Sequence, residues 1–273
     1  MLPTLFYIRC DIISENWLIL MQVFIISIEE ENSPRLNKFL RQSFFQNNNL
    51  KYEKIGIKGG ELSAKEYFDL GVKGRSRPLS PSMVGCTLSH LEALKRFLQT
   101  DSPYALILED DAIIPNDFNI DKLEKELALM SLESQFLFSI GGIQMKECRK
   151  VRGEIKKFKL LNVPVLEVNP DFYHRICYAV AYIVDRKMAK VLIEYHKKLR
   201  AADDWRYIPD IYPASRIYMA FIVDHPEIIQ GEKNSQLSSI EHERVESSDV
   251  PISRYGTFFR YNLSKIFKKK YPY

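Results

Sequence analysis

The chain has 273 residues, of which 46% are hydrophobic and 27% charged, so it can bury a full core and has the composition of an ordinary globular protein. Its net charge of +4 comes from acids and bases that are interspersed over most of the length. No basic and aromatic motif of the nucleic-acid-binding kind occurs outside the C-terminus, so the sequence argues against a nucleic-acid partner.

The four cysteines are widely spaced and form no C-x-x-C pair, which indicates neither a zinc knuckle nor a disulfide framework. Free thiols fit a reducing cytosol. No stretch reaches the roughly 18 apolar residues that suggest a spanning helix. We therefore predict a cytoplasmic protein.

The first twenty residues are apolar only in patches, because Arg9, Asp11 and Glu15 interrupt any signal-peptide core. A clean strand pattern begins at Met21. The predicted organisation is an N-terminal extension (1–20), one catalytic domain (21–250) and a basic aromatic tail (251–273).

Residues 22–28 are predicted to be the first strand. Ser33 before Pro34 is a helix N-cap with proline at the first helical position, so Arg35 opens a helix that runs to about Phe45. Arg35 would then lie at the mouth of the sheet, where it is a candidate contact for a nucleotide's pyrophosphate or base. A solvated first-turn arginine is the alternative.

Apolar spacing then predicts strands that alternate with helices. The predicted strands are Tyr52–Ile57, Tyr104–Leu108, Phe136–Ile140, Leu161–Val168, Ile176–Val184 and Met219–Val223. The predicted helices are 82–99, Asp117–Met130 and Arg186–Leu199, with a new helical segment beginning at Asp203. Residues 61–80 and 145–160 are expected to be irregular.

The strand that begins at Tyr104 ends in three carboxylates, Glu109, Asp110 and Asp111. In open α/β sheets, ligands bind beyond the carboxyl ends of such strands. Because side chains alternate along a strand, Glu109 and Asp111 are expected to point one way and Asp110 the other. Two oxygen ligands on one side suit Mg²⁺ or Mn²⁺. An acidic loop after a buried strand is the alternative.

Four leucines in residues 82–99 follow helical spacing, and Ser89 and His90 lie beside this stripe. A lone histidine on a helix usually serves packing, but this helix leads directly into the acidic strand, so both residues are candidates for donor binding. His225 follows a strand and is a candidate additional metal ligand; a structural histidine beside Pro226 is the alternative.

Residues 252–273 combine six cations with interleaved aromatic residues and contain no acid. The cations are Arg254, Arg260, Lys265, Lys268, Lys269 and Lys270. The pattern is typical of a segment that lies on an anionic membrane surface, here the inner membrane. A disordered, solubilising tail is the alternative.

The pairing of Gly85-Cys86-Thr87-Leu88-Ser89-His90 with Leu108-Glu109-Asp110-Asp111 about twenty residues later resembles glycosyltransferase family 25, the bacterial lipooligosaccharide galactosyltransferases and their relatives. The resemblance covers about residues 21–245. It includes Ala181 to Val184, the acidic pair Asp203-Asp204, and an ending at Gln230 and 235–240. Asp185 stands where the family has serine, and residues 1–20 have no counterpart.

The resemblance implies a single catalytic domain with a GT-A-like, Rossmann-type mixed α/β sheet flanked by helices. It also implies a UDP-sugar donor (usually UDP-galactose), inversion at the anomeric carbon, a divalent ion (Mn²⁺ or Mg²⁺) and a lipid-linked oligosaccharide or other surface glycan as acceptor. The candidates for donor binding are Arg35, Ser89, His90, Glu109 and Asp110. The candidate metal ligands are Asp111, Glu109 and His225. The candidate general base is Asp204 or its neighbour Asp203.

Two other classes of function remain open. One is a metal-dependent nucleotidyltransferase or phosphoesterase that uses the same acidic strand end. The other is a non-catalytic protein that binds a glycan or a membrane on the same scaffold. The absence of the G-x-x-x-x-G-K-[ST], G-x-S-x-G and H-E-x-x-H motifs argues against the commonest kinases, hydrolases and zinc peptidases.

Overall fold

The computed structural model describes residues 21–47, 50–226 and 258–273. The predicted N-terminal extension, Gln230 with residues 235–240, and the first part of the tail lie outside these ranges. Cys86, Cys148 and Cys177 form no disulfide in the described part of the chain, in agreement with the expected thiols.

The described strands form one mixed sheet. They are β1 Met21–Ile26, β2 Tyr52–Ile55, β3 Tyr104–Glu109, β4 Phe136–Gly141, β5 Arg152–Leu160, β6 Val163–Val168, β7 Ala181–Asp185, β8 Arg216–Val223 and β9 Lys269–Lys270. Their order in the sheet is β2-β1-β3-β7-β4-β8-β6-β5-β9. β1 runs parallel to β2 and β3, and β4 runs parallel to β8, whereas β7 is antiparallel to both of its neighbours.

Helices cover both faces of this sheet. They are α1 Pro34–Leu40, α2 Ser43–Asn47, α3 Ala64–Tyr67, α4 Pro81–Gln99, α5 Ile120–Leu129, α6 Arg186–Tyr195, α7 Ile208–Ile211 and α8 Phe258–Phe267. Short 3₁₀ turns lie at Gly59–Glu61, Cys148–Lys150 and Pro170–Arg175, and a π-helical turn at Phe68–Val72. Within the described ranges, no helix is both long and apolar enough to cross a bilayer.

The buried side chains form two clusters, one on each face of the sheet. Along β3, Ala105 and Ile107 belong to the cluster under α4 and α6, and Leu106 and Leu108 belong to the cluster under α1 and α5. A strand with apolar side chains on both faces reads as a continuous apolar run, which is why β3 is visible in the sequence. The predicted mixed α/β sheet flanked by helices is confirmed.

The prediction that residues 145–160 are irregular is wrong, because β5 is a nine-residue strand. It pairs antiparallel with β6, and the register shifts between Ile155 and Lys159. This irregularity breaks the two-residue alternation that would reveal a strand, and most of its side chains are at least partly exposed.

Other differences concern element boundaries. The predicted helix from Arg35 to Phe45 is two helices that are interrupted at residues 41–42. Residues 176–180 precede β7 without belonging to it, and α6 ends at Tyr195 rather than Leu199. Residues 202–203 form a turn instead of starting a helix, and β8 begins three residues earlier than expected.

The C-terminal segment is packed against the domain over its described residues. Helix α8 lies on the Pro170–Arg175 turn, and β9 pairs antiparallel with β5. Tyr261 and Tyr271 are 3% and 4% exposed. Residues 258–273 are therefore an integral part of the fold. They do not form the disordered, solubilising tail that the sequence analysis kept as an alternative.

Candidate active site

The three carboxylates lie in a turn at the carboxyl end of β3. The strand ends at Glu109, and the backbone N–H of Ala112 donates to the Glu109 carbonyl at 3.0 Å, which closes the turn. The side chains of Asp110 and Asp111 both approach Arg35, while Glu109 contacts His90. The expectation that Glu109 and Asp111 share one side is therefore wrong, because strand alternation stops where the strand stops.

Arg35, in the first turn of α1, joins the two aspartates. Its Nε and Nη2 atoms donate to Asp110 Oδ1 at 2.9 and 2.5 Å, and Nη2 lies 3.4 Å from Asp111 Oδ2. Ser27, just after β1, donates its hydroxyl to Asp110 Oδ2 at 2.5 Å. Burial raises the pKa of Asp110, while Arg35 and Ser27 act in the opposite direction. Asp110 thus fixes the guanidinium in place.

Asp111 is 7% exposed, and its Oδ1 atom is buried without a hydrogen-bond partner among the described residues. The other oxygen, Oδ2, lies 3.6 Å from His225 Nε2. His225 reaches this position because Ile113 and Asp224 form a two-way backbone bridge with N–H to O distances of 2.9 Å. A buried carboxylate oxygen that no protein group hydrogen-bonds is suited to bind a cation or a hydrogen-bond donor group of a ligand.

The protonation of His225 is defined by its neighbours. Its Nδ1 atom lies 2.8 Å from the Pro226 carbonyl, which can only accept, so Nδ1 carries the proton and Nε2 faces Asp111. Burial lowers the pKa of His225, but Asp111 and Glu109 outweigh it, so the pKa is raised overall. Histidine ligands of metals commonly donate the second ring N–H to a carbonyl in this way. Asp111 and His225 therefore fit a divalent cation.

A cavity of about 560 Å³ opens beside these groups, within the size range of small-molecule sites. It is lined by Glu29, Pro34, Arg35, Lys38, Phe39, Gln42, Asp110, Asp111, Ala112, Ile113 and Pro226. The cavity lies beyond the carboxyl ends of the parallel strands β1 and β3, where Ile26 and Glu109 are register partners. Its lining combines the cations Arg35 and Lys38 with the acidic turn and with apolar residues such as Phe39 and Ile113.

Sequence reasoning missed Gln42, which shapes the cavity wall. Its side-chain amide donates to the Ala112 carbonyl at 3.0 Å and accepts the Ile114 N–H at 2.7 Å, so it holds the loop after β3 against the α1–α2 break. No sequence pattern marks such a residue, because the contact joins positions about 70 residues apart. Ser27 was also missed, although a polar residue at the end of an apolar strand is a signal.

The motif helix α4 is positioned by Gly85 and Ser89. A Cβ atom on Gly85 would lie 2.4 Å from the Ile57 carbonyl oxygen, so only glycine permits this close approach. Ser89 is fully buried, accepts the Ile57 N–H at 2.8 Å and donates to the Gly85 carbonyl at 2.8 Å. The structure thus gives Ser89 a role in holding α4 to the loop after β2, and Ser89 does not line the cavity.

His90 is 3% exposed and links α4 to the acidic turn. Its Nε2 lies 3.1 Å from Glu109 Oε1 and its Nδ1 lies 2.9 Å from the Tyr182 hydroxyl. Because a carboxylate can only accept, Nε2–H donates to Glu109, and Nδ1 of the neutral ring then accepts from the Tyr182 O–H. Possible ligand atoms of Cys86, His90 and Glu109 lie within 4.8 Å of one another, and two of these residues, His90 and Glu109, are hydrogen-bonded to each other.

The predicted base residues lie on the α4 side of the sheet. Asp204 Oδ1 pairs with Arg206 Nε at 2.7 Å, and neither Asp203 nor Asp204 lines the cavity described above. The neighbouring Trp205 is 1% exposed and contacts Tyr182 edge to face, with ring centroids 6.1 Å apart. The acidic pair is thereby connected to Glu109 through Trp205, Tyr182 and His90.

An acidic turn and an arginine-bearing cavity beyond the carboxyl ends of parallel strands place this chain among the α/β proteins that bind ligands at that edge. The model of glycosyltransferase family 25, described as an LPS biosynthesis protein family, matches residues 21–206. The chain belongs to this family and is a glycosyltransferase. No curated protein matches the sequence closely.

Several solved structures resemble the chain at low sequence identity. A197 from STIV is 16% identical, with 77% of this chain and 85% of that chain covered and a TM-score of 0.40. A glycosyltransferase involved in glycosylation of the major capsid of PBCV-1 is 9% identical, with 83% and 98% covered and a TM-score of 0.39. The inositol-1-phosphate CTP transferase from T. maritima is 12% identical, with 86% and 98% covered and a TM-score of 0.40.

Proposed function

We propose that this glycosyltransferase transfers a sugar, galactose in the first instance, from a UDP-sugar to a saccharide acceptor of the lipooligosaccharide kind, with inversion at the anomeric carbon. The observation that carries the proposal is the cavity beyond β1 and β3, where Arg35 meets the Asp111 oxygen that has no hydrogen-bond partner in the described part of the chain. The family match gives the reaction class, and the size and lining of the cavity support the proposal that the donor binds there.

The donor's diphosphate is the group that this cavity suits best. Arg35 uses Nε and Nη2 on the aspartates, and Nη1 forms no hydrogen bond within the described residues, so its donors can reach a phosphate oxygen. Lys38 also lines the cavity and adds a second cation. Because Asp110, which accepts the Ser27 hydroxyl, holds the guanidinium before the donor arrives, little ordering is required on binding.

A divalent ion, Mn²⁺ or Mg²⁺, would be held by Asp111 and His225 and would act as a Lewis acid for charge that develops on the leaving UDP. The two protein ligands are few, as is usual when substrate phosphates complete the coordination of Mg²⁺. Glu109, which the sequence also offered as a ligand, is oriented by His90 and Tyr182 instead. We assign it to positioning of the donor.

In the transfer step, the acceptor hydroxyl oxygen attacks the anomeric carbon on the face opposite the diphosphate. The new carbon–oxygen bond forms as the bond to the diphosphate breaks, and a carboxylate takes the hydroxyl proton. We propose Asp204, or its neighbour Asp203, for this proton transfer. In support, Trp205, Tyr182 and His90 connect this pair to Glu109 in the acidic turn, and the pair approaches the turn from the α4 side, outside the donor cavity.

A screen of nucleotide sugars with Mn²⁺ tests the donor and metal assignments together. We expect UDP-galactose with Mn²⁺, at about 100 times its Kd, to raise the midpoint of thermal unfolding by about 5 °C, because a ligand that binds only the folded state stabilises it. Removal of divalent ions with EDTA should abolish UDP release, and Mn²⁺ or Mg²⁺ should restore it. Stabilisation by a nucleoside triphosphate instead, with release of pyrophosphate, would show a nucleotidyltransferase.

Asp204→Asn tests the base. The turnover number should fall by about 10² to 10⁴-fold with the donor KM unchanged, because a general base acts on the transition state rather than on donor binding. Arg206→Gln is the matched control, since it breaks the same ion pair but keeps the carboxylate. Loss of donor binding in Asp204→Asn would refute the assignment, and a selective loss of turnover in Asp203→Asn would transfer it to Asp203.

A further inference from the structure

Helix α8 exposes a continuous apolar stripe. Phe259, Ile266 and Phe267 are each 74% exposed, and Leu263 is 45% exposed. These positions are separated by four, three and one residues, so they lie on one side of a helix. An outward side that carries two phenylalanines, an isoleucine and a leucine is unusual for a helix on the surface of a soluble domain, where that side is ordinarily polar.

The opposite side of α8 is fixed to the domain. Tyr261 is 3% exposed and packs on Phe172, with ring centroids 5.1 Å apart. Ser264 donates its hydroxyl to Asp171 Oδ2 at 2.6 Å, and Arg260 pairs with Asp171 Oδ1 at 2.9 Å. The outward stripe therefore has a fixed orientation relative to the catalytic domain.

Cations follow the stripe. Lys268, Lys269 and Lys270 come directly after the helix, and the last two are exposed. Lys265 lies on the other side of α8, where its Nζ is 4.4 Å from the centroid of the Tyr261 ring. Residues 252–273 contain no acid. The apolar residues and the lysines together match the composition of helices that lie in the plane of a membrane interface.

We propose that the outward side of α8 docks on an anionic lipid surface, with Phe259, Leu263, Ile266 and Phe267 at the boundary between headgroups and acyl chains and the lysines at the lipid phosphates. The positive charge of this segment favours a lipid surface, rather than a second copy of the chain, as the partner of this side of α8. A symmetric contact through the stripe would bring two sets of lysines together with no acid of the segment between them. The proposal does not depend on the donor or metal assignment.

Sedimentation of the full-length protein with phosphatidylglycerol–phosphatidylethanolamine vesicles tests the docking surface. The protein should bind at low salt and be released as the salt concentration rises. The triple variant Phe259→Ser, Ile266→Ser, Phe267→Ser should lose at least about tenfold in partitioning. The triple variant Lys268→Gln, Lys269→Gln, Lys270→Gln should lose about 100-fold.

Two control variants change the same residue types elsewhere on the surface. Leu129, Phe68 and Ile211 are 83%, 53% and 51% exposed, and their serine triple variant should bind vesicles like the wild type. The same holds for the glutamine triple variant of the exposed lysines Lys65, Lys190 and Lys198. Far-UV circular dichroism should show the same fold for all four variants, because every change is at the surface.

Three outcomes would overturn the proposal. The first is wild-type-like vesicle binding by the Phe259, Ile266 and Phe267 variant. The second is an equal loss of binding in the control lysine variant, which would show only a diffuse charge effect. The third is a dimer in sedimentation equilibrium that the apolar variant dissociates, because the stripe would then face a second copy of the chain.

Discussion

Asp111→Asn is expected to lower the rate of UDP release by at least about 10²-fold, because it removes a charge that serves the transition state inside a buried site. The change is nearly isosteric, and Oδ1 of Asp111 has no hydrogen-bond partner among the described residues that the amide would disturb. Single-turnover measurements with saturating UDP-galactose and Mn²⁺ would report the rate of transfer.

Asp117→Asn is a suitable control, since Asp117 is exposed, follows the same strand and does not line the cavity. The thermal midpoint of Asp111→Asn without ligands should fall less than that of Arg35→Met, because the ion pair between Arg35 and Asp110 is kept. The loss of activity would then not be a loss of fold. Retention of wild-type turnover, or of the Mn²⁺-dependent stabilisation by UDP-galactose, would remove Asp111 from the proposed metal site.

Arg35→Met is expected to lower the free energy of unfolding by about 3 kcal/mol, because it leaves a buried carboxylate without its charge partner. The side chains of Asp110 and Asp111 are only 9% and 2% exposed, so water cannot replace the guanidinium at low cost. The same variant should lose donor binding, because the phosphate contact goes with the guanidinium. Urea unfolding measures the first effect and the nucleotide-sugar thermal screen the second.

The double variant Arg35→Met, Asp110→Asn separates charge from packing. If the lost stability reflects an unpaired carboxylate, neutralising Asp110 should recover much of it, and the double-mutant cycle will show a coupling energy of about 1 to 3 kcal/mol. Arg35→Lys should be intermediate, since an ammonium keeps the charge but loses the planar set of donors. Additive effects of the two single changes would contradict the proposed pairing.

The parts of the fold that could be predicted are those whose signal is local. β1 and β3 are buried on both faces and appear as apolar runs, and α4 has leucines at helical spacing. The helix begins one residue earlier than its spacing predicts, and its N-cap is Ser80, which accepts the Met83 N–H at 3.2 Å. β5 could not be predicted, because most of its side chains are at least partly exposed and its pairing with β6 is irregular.

The candidate site likewise contains residues that local sequence signals predict and residues that they do not. Asp110, Asp111 and Arg35 stand at the ends of predictable strands and helices, so the sequence locates them at one edge of the sheet. Their partners depend on contacts between distant segments: Gln42 with the loop after β3, and His225 through the bridge of Asp224 to Ile113. Glu109 differs from expectation because the chain turns immediately after it.

The short strand β9 has a consequence for how the chain can be handled. It occupies the outer edge of the sheet by pairing with β5, and Tyr271 anchors it by donating its hydroxyl to the Pro164 carbonyl at 2.9 Å. A protein shortened by its last five residues would present the bare backbone of β5 to its neighbours in solution, and exposed strand edges invite intermolecular pairing. Residues 269–273 thus protect the edge of β5 from intermolecular pairing. An affinity tag that follows these residues should disturb the sheet less than one that replaces them.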